Sequence, residues 1–146
     1  MKTFIKQISI FFVLVFLLGC ATGTKFTELA PFIQKLPENK GRIYFYRDDE
    51  PRGILVQPNI ILNGEVVGEA IPNGFFYVDR DPGLYEISTT TEAKRTSSLI
   101  LEKGQIVYVQ LRVFSGLFIA RIHPDIVDAE IGAKWIQKCR YTGREK

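Results

Sequence analysis

The chain has 146 residues, of which 46% are hydrophobic and 24% charged. That composition excludes a low-complexity or disordered class. The formal net charge is +3, but Lys2 and Lys6 lie in an N-terminal segment that reads as a signal peptide. Without residues 1–19, 17 of the 19 Lys+Arg remain against all 16 Asp+Glu, or about +1, too weak a field to suggest a nucleic-acid partner.

Lys2 and Lys6 form a short basic flank. Residues 8–18 are an apolar run of eleven, broken only by Ser9. That is too short for a permanent span, which takes about 20 residues. Basic flank, apolar run and small-residue stop follow the order of a secretory signal peptide over residues 1–19. A core helix is the alternative.

Leu17-Leu18-Gly19-Cys20 resembles the lipobox of bacterial lipoproteins. The resemblance implies cleavage just before Cys20, a diacylglycerol on its thiol and an N-acyl chain on its new amino group. Gly19 is small enough to let a peptidase approach the bond. Leu17 keeps the preceding segment in the bilayer, while Leu18 is bulkier than the usual occupant of its position. Two or more acyl chains hold a protein stably on a membrane. Membrane lipid attached through Cys20 is thus an expected partner, and no other cofactor is expected. Ala21, where Asp would favour inner-membrane retention in Gram-negative cells, points to the outer membrane, facing the periplasm. With Cys20 assigned to lipid, Cys139 has no disulfide partner and is expected to be a buried free thiol.

Residues 20–40 read as a tether, because Pro31 and Pro37 forbid a long helix. Phe26, Leu29, Phe32, Ile33 and Leu36 are too apolar for a pure linker, so part should pack on the domain. From Gly41 the sequence becomes short β-runs between turn signals. "RIYFYR" (42–47) alternates, with Ile43 and Phe45 opposite Tyr44 and Tyr46. "NIILNGEVVGEA" (59–70) is a hairpin about a type I′ turn at Asn63-Gly64. "FFYVD" (75–79) follows a turn at Asn73-Gly74. Asp81-Pro82-Gly83 leads into "LYEISTTT" (84–91), where Leu84, Tyr85 and Ile87 compete for the inner face. "SSLILE" (97–102), "QIVYVQLRVF" (105–114) and "LFIARI" (117–122) complete the strands. In 105–114, Val107, Val109, Leu111 and Val113 share one face.

In "DAEIGAKWIQKC" (128–139), Ile131, Trp135 and Cys139 recur every four residues, as on a helix face, with Asp128 at the N-cap. Gly132 weakens that helix. The expected fold is all-β: a compact antiparallel β-sandwich of seven or eight short strands over residues 41–141. A C-terminal helix would cover an open end, with Trp135 as its plug. A basic tail (142–146) would follow.

"GRIYFYRDDE", "ILNGEVVGEAIPNGFFYVDRDPGLYEIS", "LEKGQIVYVQL" and the closing segment ending in Cys139 resemble a family of small bacterial lipoproteins carrying a domain of unknown function. Such domains look like PEGA-type, prealbumin-like β-sandwiches. The matching positions are Asn63-Gly64, Val67-Gly68, Phe76, Pro82-Gly83, Tyr85 and Ile87. These are turn and core positions, so the resemblance implies a fold and no catalytic residues.

Chemistry is sparse. His123 is the single histidine and reads as structural, which leaves Ser-His, Cys-His and His-based metal sites without material. Asp79, Asp81 and Gly83 begin like a calcium loop, but its twelfth position is Thr90 rather than Glu. Asp48, Asp49 and Glu50 read as a solvated tip. No catalytic or metal residues are expected. Tyr44, Tyr46, Tyr108 and Arg112 share the outward phase of their strands. If those strands are neighbours they form an aromatic-basic patch that could meet another envelope protein or stack on a glycan. The competing reading is that these tyrosines simply suit strands and are covered by the tether or the final helix. The expected function is a lipid-anchored, non-catalytic binding or scaffold module. Peptidoglycan or glycan binding is the alternative.

Overall fold

A computed structural model describes residues 22–90, 96–115 and 120–143. The signal segment and lipobox residues Leu17, Leu18, Gly19 and Cys20 lie outside them. Nine strands form two sheets in a sandwich. The first sheet has the order β8-β7-β1-β4-β9, from β1 (Gly41–Tyr46), β4 (Gly74–Arg80), β7 (Ile106–Phe114), β8 (Arg121–Val127) and β9 (Arg140–Tyr141). The second has the order β3-β2-β5-β6, from β2 (Asn59–Leu62), β3 (Glu65–Glu69), β5 (Gly83–Thr89) and β6 (Ser97–Leu101). No helix among the described residues is long and apolar enough to cross a membrane.

The alternation of the strands builds the core between the sheets. Ile43 and Phe45 of β1 meet Phe76, Val107, Val109 and Leu111 of their own sheet. Opposite them stand Ile60, Leu62, Ile87, Leu99 and Leu101 of the other. Tyr85 and Ile87 point inward and Leu84 outward, which settles the competition on β5. The β2–β3 turn uses positive φ at Asn63 (48°) and Gly64 (85°), as a type I′ turn requires. Along one side the sheets are stitched together. The Thr89 hydroxyl donates to Ile122 O at 2.8 Å and the Ser97 hydroxyl to Pro124 O.

Four details differ from the sequence reading. The sandwich is mixed rather than wholly antiparallel, because β1 pairs in parallel with β7, and β4 with β9. The chain leaves the first sheet after β1 and returns to it through the second, so no hairpin forces β1 and β7 to oppose. The strand placed at 117–122 is β8, which starts at Arg121 and runs to Val127; residues 116–119 lie outside the described set. Pro124 is tolerated inside β8 because it is an edge strand, bonded only to β7. Consequently His123 is inside the strand, buried and stacked on Phe114 at 4.5 Å, rather than at its end. The ninth strand, β9, was not foreseen.

The fourth difference concerns the helices. Helix α1 (Phe26–Leu29) and a 3-10 turn (Ala30–Phe32) form within the segment read as a tether. Helix α2 (Ala129–Ile136) starts after Asp128, which holds the N-cap position without a side-chain cap bond. Neither covers an open end. Both lie on the outer face of the first sheet, where a second apolar cluster joins Tyr44, Tyr46, Phe75, Ile136 and Cys139. The buried face of α2 is Gly132 and Ile136, with Cys139 just beyond. Ile131 and Trp135 are 45% and 39% exposed, so Trp135 is not a plug.

Gly132 sets how closely α2 approaches the sheet. A Cβ there would stand 2.3 Å from both Cβ and Cγ of Tyr108. Those atoms sit at the root of a strand side chain and cannot swing away. Gly132→Ala gains about 1 kcal/mol in helix propensity, but overpacking costs about 1–3 kcal/mol. The expected outcome is a net loss of stability, read as a lower urea midpoint. A raised midpoint would mean that α2 does not rest on Tyr108.

Candidate functional site

The proposed patch has the neighbours it requires. Tyr44 lies in register beside Tyr108, and Tyr46 beside Gln110, on paired strands. Tyr44 and Tyr108 stack with ring centroids 5.3 Å apart. The patch is nevertheless not a surface. Tyr44 is 6% exposed and Tyr46 fully buried, and Tyr108 is half-buried. Only Arg112 faces solvent. Of the two readings, a docking or sugar-stacking platform and tyrosines covered by the tether or the final helix, the structure agrees with the second. Their outward phase is real, but two helical elements sit on top of them.

The cover is built from both ends of the described chain. Phe26 places its ring edge-on to Phe75 at 5.2 Å and to Tyr44 at 6.0 Å, contacts worth about 0.5–1.5 kcal/mol each beyond their buried area. Leu29 and Ile33 follow onto the same cluster. Backbone bonds tie this strap to the C-terminal segment. The Phe26 N–H donates to Cys139 O at 2.9 Å, and the Tyr141 N–H to Thr24 O at 2.8 Å. Arg140 Nη1 donates to Gly23 O at 3.1 Å. The Thr142 N–H donates to Phe75 O at 2.8 Å, which fixes the C-terminal segment to β4. Residues 23–33 are therefore part of the domain rather than a free tether.

Charged groups close the two ends of this layer. Arg42 is buried and bidentate to Asp79, with Nε–Oδ1 at 2.6 Å and Nη2–Oδ2 at 2.8 Å. Its guanidinium lies 4.3 Å from the Tyr77 ring centre. The hydrogen-bonded Asp79 holds Arg42 further above its usual pKa, against the opposing effect of burial. At the other end Gln110 Nε2 donates to both oxygens of Asp48, at 3.0 and 2.9 Å. Arg112 Nε donates to Gln110 Oε1 at 3.1 Å and pairs with Asp125 at 3.3 Å. Asp48 is thus bound by Gln110, not merely a solvated tip. Burial, helped by the Asp48 charge, pushes the Tyr46 phenol up to about 12. Burial raises Tyr108 as well. Neither phenol is set up to lose a proton.

Arg47 is the functional-looking residue that sequence reasoning missed. It follows β1 on the inward phase of Ile43 and Phe45 and is fully buried. Its hydrogen-bond partners among the described residues are backbone carbonyls rather than a carboxylate, although the Asp48 charge acts on it against burial. Its Nη1 donates to Val56 O (2.7 Å) and Ala70 O (2.6 Å), and its Nη2 to Gly53 O (2.7 Å). Its Nε has no partner among the described residues, nor does the Tyr46 hydroxyl. Burial lowers the Arg47 pKa. With three backbone carbonyls as its partners, it serves as a clamp on the loop over residues 48–58. The signal was in the text: Arg47 continues the inward alternation of "RIYFYR", where a charge signals either an edge or a buried role.

Among the described residues no group of three or more His, Cys, Asp or Glu is placed to hold a metal ion. Cys139 is a free, buried thiol, contacting Arg47 O and Trp135 O through sulfur at 3.7 and 3.8 Å. Burial, the largest cause, pushes it up to about 12, and a thiolate is the reactive form. The folded protein at pH 8 should therefore leave Cys139 unlabelled by a thiol reagent, and urea should expose it. Rapid labelling without denaturant would contradict this packing.

A search of curated proteins found no match to this chain. A family model described as "Protein of unknown function (DUF2846)" matches residues 37–123. The matched stretch carries β1 to β7 and the start of β8, and leaves the strap, α2 and β9 outside it. It spans more than half of the chain, and its two-sheet sandwich contains the turn and core positions on which the resemblance rested. The chain therefore belongs to the DUF2846 family of proteins of unknown function.

Proposed function

We propose that the chain is a lipid-anchored protein of the bacterial cell envelope, and that its β-sandwich is a non-catalytic binding or scaffold module for another envelope protein. The observation that carries this reading is the juncture between motif and fold. The lipobox-like Leu17-Leu18-Gly19-Cys20 ends three residues before Gly23, where the strap is already bonded to Arg140. A signal peptide cut at Cys20 would release a chain that is structured almost from its first residue. Diacylglycerol and an N-acyl chain on Cys20 would supply stable attachment, and Ala21 favours the outer membrane facing the periplasm. The side chains also favour a binding role. Arg42, Gln110 and Arg47 are engaged by Asp79, Asp48 and backbone carbonyls, and burial favours the protonated forms of Tyr46, Tyr108 and Cys139. The lipoprotein and PEGA-like, prealbumin-like identity of the sandwich belongs to the same reading, supported by Asn63-Gly64, Val67-Gly68, Phe76, Pro82-Gly83, Tyr85 and Ile87.

Two measurements test it. In cells given labelled palmitate, the wild type should take up label and sediment with outer membranes, whereas Cys20→Ala should take up none. Label on Cys20→Ala equal to wild type, or none on the wild type, would overturn the anchor. Crosslinking of the tagged wild type in its own membrane should yield adducts with a second envelope protein; monomer alone would count against the scaffold role.

A further inference from the structure

The solvent face of α2 has a composition that the fold does not need. Ile131, Lys134 and Trp135 stand at i, i+3 and i+4 of α2, the spacing of a single helix face, and Lys138 follows in the turn after Ile136. The opposite face, with Gly132 and Ile136, is the one packed on the sheet. The ammonium of Lys138 lies 4.3 Å from the Trp135 ring centre. An exposed tryptophan and isoleucine flanked by lysines is the pattern of a helix lying in a membrane interface, where the apolar bodies enter the acyl boundary and the lysine heads stay at the phosphates.

The position of this face relative to the anchor gives it one occupant. The residue after Lys138, Cys139, accepts the hydrogen bond from Phe26 on the strap. The strap is held at Gly23 by Arg140. From Gly23 back to Cys20 is three residues, at most about 10 Å of chain. Trp135 joins Cys139 through a short turn, in which the Lys138 N–H donates to Trp135 O and the Cys139 N–H to Ile136 O. Lipid on Cys20 would thus bring the bilayer within reach of Trp135 and Lys138. The charges around the strap agree. Lys25 and Arg140 face each other across a β-bridge on the strap, with Glu28 in α1, while Lys134 is in the last turn of α2, Lys138 just after it, and Asp128 and Glu130 are at its far end. The other broad face of the sandwich has the opposite character. Among the described residues of β2, β5 and β6, the outward positions are Asn59, Ile61, Leu84, Glu86, Ser88, Ser98 and Ile100, with a carboxylate and no cation.

We propose that the exposed face of α2, with Lys25 and Arg140 beside it, docks onto the anionic headgroup surface of the membrane that holds Cys20. The second sheet then faces away, presenting Leu84 and Ile100, 69% and 70% exposed. This rests on the anchor reading for its orientation, but its test reads the face separately. Trp135 is the only tryptophan, so its fluorescence reports this face alone.

The full chain purified from membranes is mixed with phosphatidylglycerol vesicles whose acyl chains are brominated near the headgroup. The mass of its N-terminal peptide is read in parallel. The expected result is a lipidated peptide together with a blue shift and strong quenching of Trp135. In Lys134→Glu/Lys138→Glu the lipid should remain and the emission should recover. Phosphatidylcholine vesicles should quench the wild type less. Both lysines are exposed, and an unchanged circular dichroism spectrum would confirm that the double variant is folded. A lipidated protein with unquenched, water-exposed Trp135 overturns the docking face and leaves the anchor standing. An unlipidated protein that is still quenched overturns the anchor and leaves the face standing. Neither lipid nor quenching overturns both. Quenching that is unchanged in the double variant overturns the role of the lysines and with it the electrostatic proposal.

Discussion

Every residue of β1 is buried, so the middle strand of the five-stranded sheet must be covered on both faces. A sheet with one apolar face needs one partner layer, and a sheet with two needs a partner on each side. Ile43 and Phe45 are met by the second sheet. Tyr44 and Tyr46, on the opposite phase, are met by a layer recruited from both ends of the described chain, α1 with its 3-10 turn and α2 with β9. Much of the remaining structure follows from that demand. Phe26, Leu29 and Ile33 turn a would-be tether into cover. Gly132 lets a helix settle directly on Tyr108. Cys139 is sealed under the layer, and the backbone bonds between residues 24–26 and 139–141 tie its two halves together.

Local alternation and turn chemistry were legible in the sequence. The opposite phases of Ile43/Phe45 and Tyr44/Tyr46, the Asn63-Gly64 turn, the single face of Val107 to Val113 and the burial of Cys139 all reappear in the structure. What alternation does not say is what lies above a given face. Outward phase at Tyr44, Tyr46 and Tyr108 is compatible with either an exposed patch or a covered one, and here outward from the first core means inward to a second. The helix phase went astray for a related reason. Ile131, Trp135 and Cys139 look like the apolar stripe, yet a glycine scores nothing on hydrophobicity and makes the closest approach of all. At β8 the strand runs on past residue 122 and through Pro124, which an edge strand tolerates. Arg47 follows the same phase as Ile43 and Phe45, so the alternation of 42–47 already points its side chain inward. The lipobox was legible as a motif, and it lies outside the residues the structure describes.

The covered outer face changes which surfaces remain for function. The tyrosines are spent on packing, burial favours the neutral forms of Tyr46, Tyr108 and Cys139, and three carbonyls occupy Arg47. Two faces remain. One carries Trp135 with lysines beside the strap; the other is the outer side of the second sheet with Leu84, Ile100 and Glu86. Their unlike charge gives the domain a polarity. If lipid is carried on Cys20, three residues before the strap, that polarity becomes an orientation relative to the membrane, since so short a leash would leave little freedom to turn over.

All of this depends on the strap being part of the folded domain. Amide hydrogen exchange of the full chain measures that directly at Phe26 and Tyr141, whose N–H groups bond to Cys139 O and Thr24 O. Both amides should exchange as slowly as those of β1, because the strap and the outer layer open only when the second core does. Exchange of either at the rate of an unstructured peptide, with β1 still protected, would show a free tether and contradict the account.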